Sequence, residues 1–264
     1  MSKLYKLLAK PKLKSPNLIA AWPGISNVAT IVGTYLGRKL DFKDLVDIND
    51  SYFFDPIGIT VRSNLIEDPQ FPRSRFYYYK NKEGKKDLIL FMGDDQPSSK
   101  SYELSNLVID VAQRFQVSRI YTCAAALTRI HHTEQPRVLA ATTSHAVAED
   151  IKPHNLVMGG NLQISGLNGL LLGVAKERGL DGLCLLGEVP SYSSRMPNPI
   201  AALAIINVLT KMLDIEVDTL ELVEQASVAK SRMKQVATEA MEEYIDFFTE
   251  PIWEHDEFEE NEEN

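Results

Sequence analysis

The stretch Gln163-Ile-Ser-Gly-Leu-Asn-Gly-Leu-Leu-Leu-Gly173, followed ten residues later by Leu183-Cys-Leu-Leu-Gly-Glu-Val-Pro190, decides the fold. It reads as a Gly-rich turn opening a helix, then a buried strand that ends in Gly-Glu. In α/β folds such units bring helix N-termini and strand C-termini to one crevice. Exposed N–H groups at a helix start attract anions, so the turn is either a phosphate cradle or a close backbone contact. The spacing Gly166-x-x-Gly169-x-x-x-Gly173 is not a dinucleotide fingerprint, and no Gly-Lys-Ser/Thr completes a phosphate loop. Gly169 and Gly173 lie four apart, the spacing by which small residues let a helix approach a sheet.

Working outward, strand and helix patterns alternate. Arg119–Ala125, Arg137–Thr142 and Gly182–Leu186 read as strands, and Tyr102–Phe115, His145–Glu149, Gly169–Arg178 and Pro199–Leu213 as helices. Nearer the N-terminus, Asn17–Trp22 is a strand and Val28–Leu40 a helix with Ser26 or Asn27 as its N-cap. Asp47–Phe54 and Ile57–Val61 read as short strands about a turn at Asp55-Pro56. Arg75–Lys80 and Asp87–Met92 form a hairpin, with turn residues in Asn81-Lys-Glu-Gly84. Strands apolar on both faces imply a mainly parallel sheet covered by helices on both sides.

From about Glu216 to Phe248 an apolar stripe runs through Leu222, Ala226, Ala229, Met233, Val236 and Ala240, continued by Tyr244 and Phe248. This is an amphipathic helix, or two, that either packs on its own domain or offers a seam to another subunit. The expected organisation is an α/β domain over 1–215, a helical extension over 216–249 and an acidic disordered tail over 250–264.

The net charge of −8 sits in that tail. Eight acids and no Lys or Arg fall between Glu250 and Asn264; the remaining 28 acids equal the 28 Lys plus Arg. A neutral body disfavours nucleic acid, whose phosphates require a clustered basic face. Trp253 and Phe258 would let the tail dock as a short linear motif. No apolar run is long enough to span a bilayer and the basic N-terminus lacks an apolar signal core, so a cytoplasmic protein without membrane contact is expected. Cys123 and Cys184 lie in apolar runs and read as reduced core residues.

Candidate chemistry is sparse. Asp94 and Asp95 follow a strand in Phe91-Met-Gly-Asp-Asp-Gln-Pro97, where paired acids could serve acid–base work or a metal, or simply form a turn. His131-His132 falls in what reads as a surface loop; without His-x-x-x-His or Cys-x-x-Cys, no zinc site is expected. No Gly-x-Ser-x-Gly elbow occurs. Glu188, after a strand, is either a functional acid or the partner of an Arg. No cofactor, metal ligand or catalytic residue is assigned. The candidate crevice comprises Gly24, Gly93, Asp94, Gly166, Asn168, Gly169 and Glu188.

Trp22-Pro-Gly-Ile-Ser-Asn-Val-Ala-Thr30 running into Tyr35-Leu-Gly37, then Leu90-Phe-Met-Gly-Asp94, Ile164-Ser-Gly-Leu-Asn-Gly169, Gly187-Glu-Val-Pro190 and Pro199-x-Ala-Ala202, resembles the proteasome assembly chaperone 2 (PAC2) family, in its bacterial type, over roughly residues 15 to 230. The resemblance implies a nucleoside-phosphorylase-like α/β domain, a helical extension and a homo-oligomer, guessed as a trimer. It also implies an assembly chaperone or scaffold working through protein contacts, with a further partner at the extension or tail. Archaeal relatives that dock on proteasomes end in a hydrophobic-Tyr-any tripeptide; this sequence ends Glu262-Glu263-Asn264, so docking by that device is not expected. The alternative is an enzyme or sensor holding a small anionic metabolite or nucleoside. That reading requires an open pocket at the Gly segments, with Asp94 or Glu188 unpaired.

Overall fold

A computed structural model describes residues 4–81 and 85–249. The strands of the main sheet are β1 (Tyr5–Leu7), β2 (Asn17–Ala21), β3 (Lys43–Ile48), β6 (Ser74–Tyr79), β7 (Leu88–Gly93), β8 (Arg119–Thr128), β9 (Val138–Thr142) and β10 (Gly182–Pro190); β4 (Val61–Arg62) and β5 (Leu65–Ile66) form a separate ribbon. The helices are α1 (Val28–Lys39), α2 (Asp50–Phe53), α3 (Ser101–Arg114), α4 (His145–Asp150), α5 (Leu167–Glu177), α6 (Pro199–Leu213) and α7 (Leu220–Thr249).

The main sheet has the order β1-β3-β6-β7-β2-β8-β10-β9. Its centre, β7-β2-β8-β10, is parallel; β6, β3 and β1 continue antiparallel on one side and β9 closes the other. Helices cover both faces, as their buried strands require. Leu18, Ala20, Phe91 and Leu186 pack with α3 and α5 on one face. Ile19, Ala21, Leu90 and Leu185 pack with α1 and α6 on the other. All nine residues of β10 are buried, so the apolar run that suggested a core strand is one.

Local chemistry sets several boundaries. Asn198 caps α6, its Oδ1 accepting the Ala201 N–H at 2.9 Å, and Pro199 occupies the first turn, where no N–H is needed. Asn27, one of the two N-cap residues expected for α1, stands at that position but makes no side-chain cap bond. Ser26 and Asn27 both have φ 52°, and neither side chain caps the helix. The Ser26 hydroxyl is instead spent on Ser194 O at 3.0 Å. The strands expected at Asp47–Phe54 and Ile57–Val61 are also corrected. The ladder lies earlier, at β3, because Leu45, Val46 and Ile48 bury there. Asp50–Phe53 closes into a single helical turn, since Phe53 and Phe54 both enter the core rather than alternating. Beyond it the expected strand is broken: Gly58 makes an isolated antiparallel bridge to Gln70, and Val61–Arg62 pairs with β5. The expected hairpin is β6–β7; its turn at 82–84 lies outside the described residues.

The first half of α7 packs on its own domain, with Leu222, Ala226 and Met233 buried. Burial of the Leu and Met side chains contributes about 1.5–3 kcal/mol each. Tyr35 donates to Asp218 O at 2.9 Å and Lys39 reaches Asp218 at 3.1 Å, fixing the start of the helix against the end of α1. The side chains of Ala240, Tyr244 and Phe248, and the tail 250–264, lie outside the described residues.

Candidate functional site

The parallel strands end along one edge, and the Gly segments converge there. Gln96 ties three of them together: its Nε2 donates to Pro23 O at 2.6 Å and its Oε1 accepts the Leu167 N–H at 2.8 Å. It thereby takes over a cap that Gly166 cannot provide. Asn168, buried on the first turn of α5, clasps the other end of the crossing, accepting the Trp22 N–H at 3.3 Å and donating to Trp22 O at 3.4 Å. Gly166 has φ +74°, and a Cβ there would lie 2.6 Å from Gln96 Oε1, so conformation and space both demand glycine. The result is a crevice of about 240 Å³ bordered by Gly24, Ile25, Ala124, Ala125, Gly166 and Asn168.

Of the residues singled out in the sequence, Gly24, Gly166 and Asn168 thus meet at one crevice. Gly93 lies beneath the Trp22 ring, which a Cβ would approach to 2.5 Å. Asp94 is exposed and clasps Arg73, donating its N–H to Arg73 O at 2.8 Å and accepting the Arg73 N–H at 3.2 Å. That is turn chemistry. Gly169 abuts its own loop, where a Cβ would stand 2.3 Å from Ile164 O, while Gly173 is exposed with nothing within 4 Å. The two glycines therefore do not carry α5 against the sheet. That close approach falls instead to Gly182, under Leu172, and Gly187, under Ala201 of α6.

Glu188 faces a different cleft, bordered by Thr128, Ile130, Glu134 and Arg137. It is buried, and Arg137 grips it twice: Nη2 donates to Oε1 at 2.7 Å and Nε to Oε2 at 3.0 Å, with the Arg137 N–H adding a third bond at 2.9 Å. The hydrogen bonds from Arg137 hold the Glu188 carboxyl below the usual carboxylate range. Of the two sequence readings for Glu188, this is pairing with an arginine. Nearby, His132 is buried rather than on the surface, its Nδ1 2.9 Å from Tyr192 Oη. Lys230 of α7 donates to Thr133 O at 3.1 Å, so this loop seats the helix. Among the described residues no group of three His, Cys, Asp or Glu could hold a metal ion, and no ionisable side chain lines the 240 Å³ crevice. Its surroundings offer shape and backbone polarity rather than acid–base chemistry.

Sequence reasoning missed the roles of Gln96 and Arg137. Gln96 carried no sign beyond standing next to Asp-Asp after a strand, and Arg137 lies 51 positions from its partner.

The PAC2 family profile matches residues 18–237, from β2 well into α7. The chain belongs to the PAC2 family. Among solved structures it is similar to PbaB of Pyrococcus furiosus, an archaeal proteasome activator, at 27% identity over 88% of this chain and 98% of that one, with a TM-score of 0.75. A Mycobacterium tuberculosis proteasome-assembly chaperone homologue shares the fold at 21% identity and TM-score 0.70, covering 83% of this chain and 94% of its own. An uncharacterised Methanocaldococcus jannaschii protein is 27% identical over 220 residues, 81% of this chain and 80% of the relative. The matched PAC2 region includes the crevice, the Glu188–Arg137 pair and the β4–β5 ribbon. No helix among the described residues is long and apolar enough to cross a membrane.

Proposed function

We propose that this PAC2 protein is a non-catalytic assembly chaperone or scaffold of the cytoplasm that works as a homo-oligomer through protein–protein contacts. The observation that carries the proposal is the ribbon between α2 and β6. Ile57, Ile59, Val61, Leu65 and Ile66 are 72, 57, 62, 72 and 73% exposed. Val61 pairs with Ile66 across the ribbon, and the backbone bonds from Glu67 to Thr60 and between Gly58 and Gln70 extend the pairing, so the two-residue repeat puts Ile59 and Ile57 on the face of Val61. The opposite face carries Thr60, Leu65, which pairs with Arg62, and the Arg62–Glu67 ion pair at 3.2 Å, so the apolar face is that of Ile57, Ile59, Val61 and Ile66. An apolar patch on the order of 500 Å² is what monomers seldom expose without a use. Its occupant in this reading is a second copy of the chain, because two such faces related by a two-fold axis are self-complementary and together approach the area of a modest stable interface. The engagement of Asp94 by Arg73 and of Glu188 by Arg137 supports a non-catalytic role, and the M. tuberculosis proteasome-assembly chaperone homologue supplies the analogy for a chaperone.

Light scattering on wild type and on Ile59→Asp/Ile66→Asp tests the oligomer. A wild-type oligomer that falls to a folded monomer is expected; a wild-type monomer, or an unaffected oligomer, refutes this interface. Adding the protein to dissociated proteasome α-subunits and following ring formation on native gels tests the chaperone role, and an unchanged assembly rate counts against it. The alternative, a site for a small anionic metabolite or nucleoside, draws on the 240 Å³ crevice alone. A thermal-shift screen of nucleotides and phosphorylated metabolites would favour it if one compound raised Tm by several degrees.

A further inference from the structure

The first acid in the chain is Asp41, whereas Lys3, Lys6, Lys10, Lys12 and Lys14 all precede it; the last fifteen residues hold eight acids and no Lys or Arg. The two ends of the chain are thus of opposite charge. The basic end builds a groove. β1 is the outermost strand of the sheet, paired only with β3, and between it and α3 lies an open groove of about 950 Å³. Its apolar lining is Leu4, Tyr5, Leu7, Ile48 and Leu107. Three exposed cations, Lys6, Lys10 and Arg114, border it without an ion-pair partner among the described residues. The acids on the groove are already committed, Asp47 to Arg75 at 3.0 Å and Asp110 to Arg178 at 2.7 Å. The charge left over is therefore positive, above an apolar floor.

The segment Pro251-Ile-Trp-Glu-His-Asp-Glu-Phe-Glu-Glu260 has the matching chemistry, with Trp253 and Phe258 for the floor and flanking acids for the cations. Geometry says whose tail arrives. α7 starts beside the end of α1 and runs toward the edge where the parallel strands end, reaching the loop after β8 at Lys230. Sixteen residues of helix follow Met233, carrying Thr249 about 24 Å onward. β1 stands six strand spacings from β10, roughly 29 Å. Even the straight diagonal across both distances, roughly 38 Å, would use about eleven of the tail's residues in fully extended form, leaving both aromatics short of the groove. A neighbouring copy imposes no such limit.

We infer that the acidic-aromatic tail of one copy docks in the β1–α3 groove of another, an inter-subunit strap held by charge and two aromatic anchors. The inference rests on the homo-oligomer reading and extends it to a second, electrostatic contact.

The test co-expresses two full-length, differently tagged chains. One carries Lys6→Gln and Lys10→Gln with an intact tail; the other has an intact groove and Glu257, Glu259, Glu260, Glu262 and Glu263 changed to Gln. A zero-length carboxyl–amine cross-linker is applied at low salt and at 1 M salt, with light scattering in parallel. Expected are conjugates joining Lys6 or Lys10 of the second chain to tail acids of the first, reduced at least several-fold at 1 M salt, where screening acts within about 3 Å. A co-assembled oligomer without these conjugates, or with conjugates indifferent to salt, overturns the strap and leaves the homo-oligomer standing. Chains that remain monomeric overturn both.

Discussion

Gly169 and Gly173 sit on one helix four residues apart, and the structure assigns opposite outcomes to the same substitution. At Gly173, Gly→Ala adds a methyl where nothing stands within 4 Å, so only the backbone term remains. Removing glycine from a helix interior stabilises by about 0.5–1 kcal/mol. At Gly169 the new Cβ would meet Ile164 O at 2.3 Å and Ile164 Cβ at 2.9 Å. Ordinary contact requires about 1 Å more, and the obstacle is backbone, held near the Gln96–Leu167 clasp. Overpacking of this kind costs about 1–3 kcal/mol, against a helix-propensity gain of at most ~1 kcal/mol. Gly169→Ala should therefore lose about 1–2 kcal/mol net while Gly173→Ala gains. At roughly 2–4 °C per kcal/mol for a chain of this size, the two melting temperatures should separate by about 3–12 °C. Calorimetry with urea unfolding reads both. Equal stabilities would mean that the 164–166 loop yields freely, and that the first turn of α5 is not locked as the contacts imply.

Burial pushes the Asp50 carboxyl up to about 7, against an accepted bond from the Ser74 N–H at 2.9 Å that favours the charged form. The native state then holds a proton between pH 4 and 7 that the unfolded chain has released, so this group's contribution to stability falls as pH rises through that window. Asp50→Asn, which keeps the acceptor for Ser74, should gain stability relative to wild type over that window and hold a constant advantage above it. Allowing for the solvent access of Asp50, the advantage should be about 1–2 kcal/mol; parallel pH profiles of the two proteins would refute this. Arg137→Ala leaves the Glu188 carboxylate buried with a single backbone donor and should cost about 1–3 kcal/mol at pH 7, recovering at pH 4 as the acid protonates. A loss independent of pH in urea melts would point to packing instead. Burial pushes the Cys184 thiol up to about 12 and raises Cys123 well above its ordinary value, so neither should react with a thiol reagent at pH 8 until the protein unfolds. Prompt labelling of the native protein would contradict the packing of the sheet centre.

Much of the strand–helix order was legible because its signals are local. The apolar run of β10, the proline-opened α6 and the apolar spacing of α3 each state their own element. Misreadings came where distant contacts outweighed local pattern. Asp50–Phe53 alternates well enough for a strand, yet the core takes Phe53 and Phe54 together. Ser26 is a good N-cap residue in isolation, but Ser194, 168 positions away, claims its hydroxyl. At the candidate site the glycines and acids were visible as residue types, while their partners were not. Nothing near Glu188 announces Arg137, and nothing near Gly166 announces Gln96.

By itself, the amino-acid sequence determined the alternation of elements, the double-sided cover of the sheet, the family resemblance and the concentration of charge at the two ends. These follow from periodicity, turn chemistry and composition, which act over a few residues at a time. Tertiary structure alone decided that Gly24, Gly166 and Asn168 meet at one crevice while Glu188 and Asp94 face elsewhere. It alone decided that Gly169 guards a loop rather than a sheet, and that five aliphatic side chains between α2 and β6 remain in solvent. The reason is physical: a residue type states which bond it can make, whereas which bond it does make depends on what the crossing of strands brings within 3 Å.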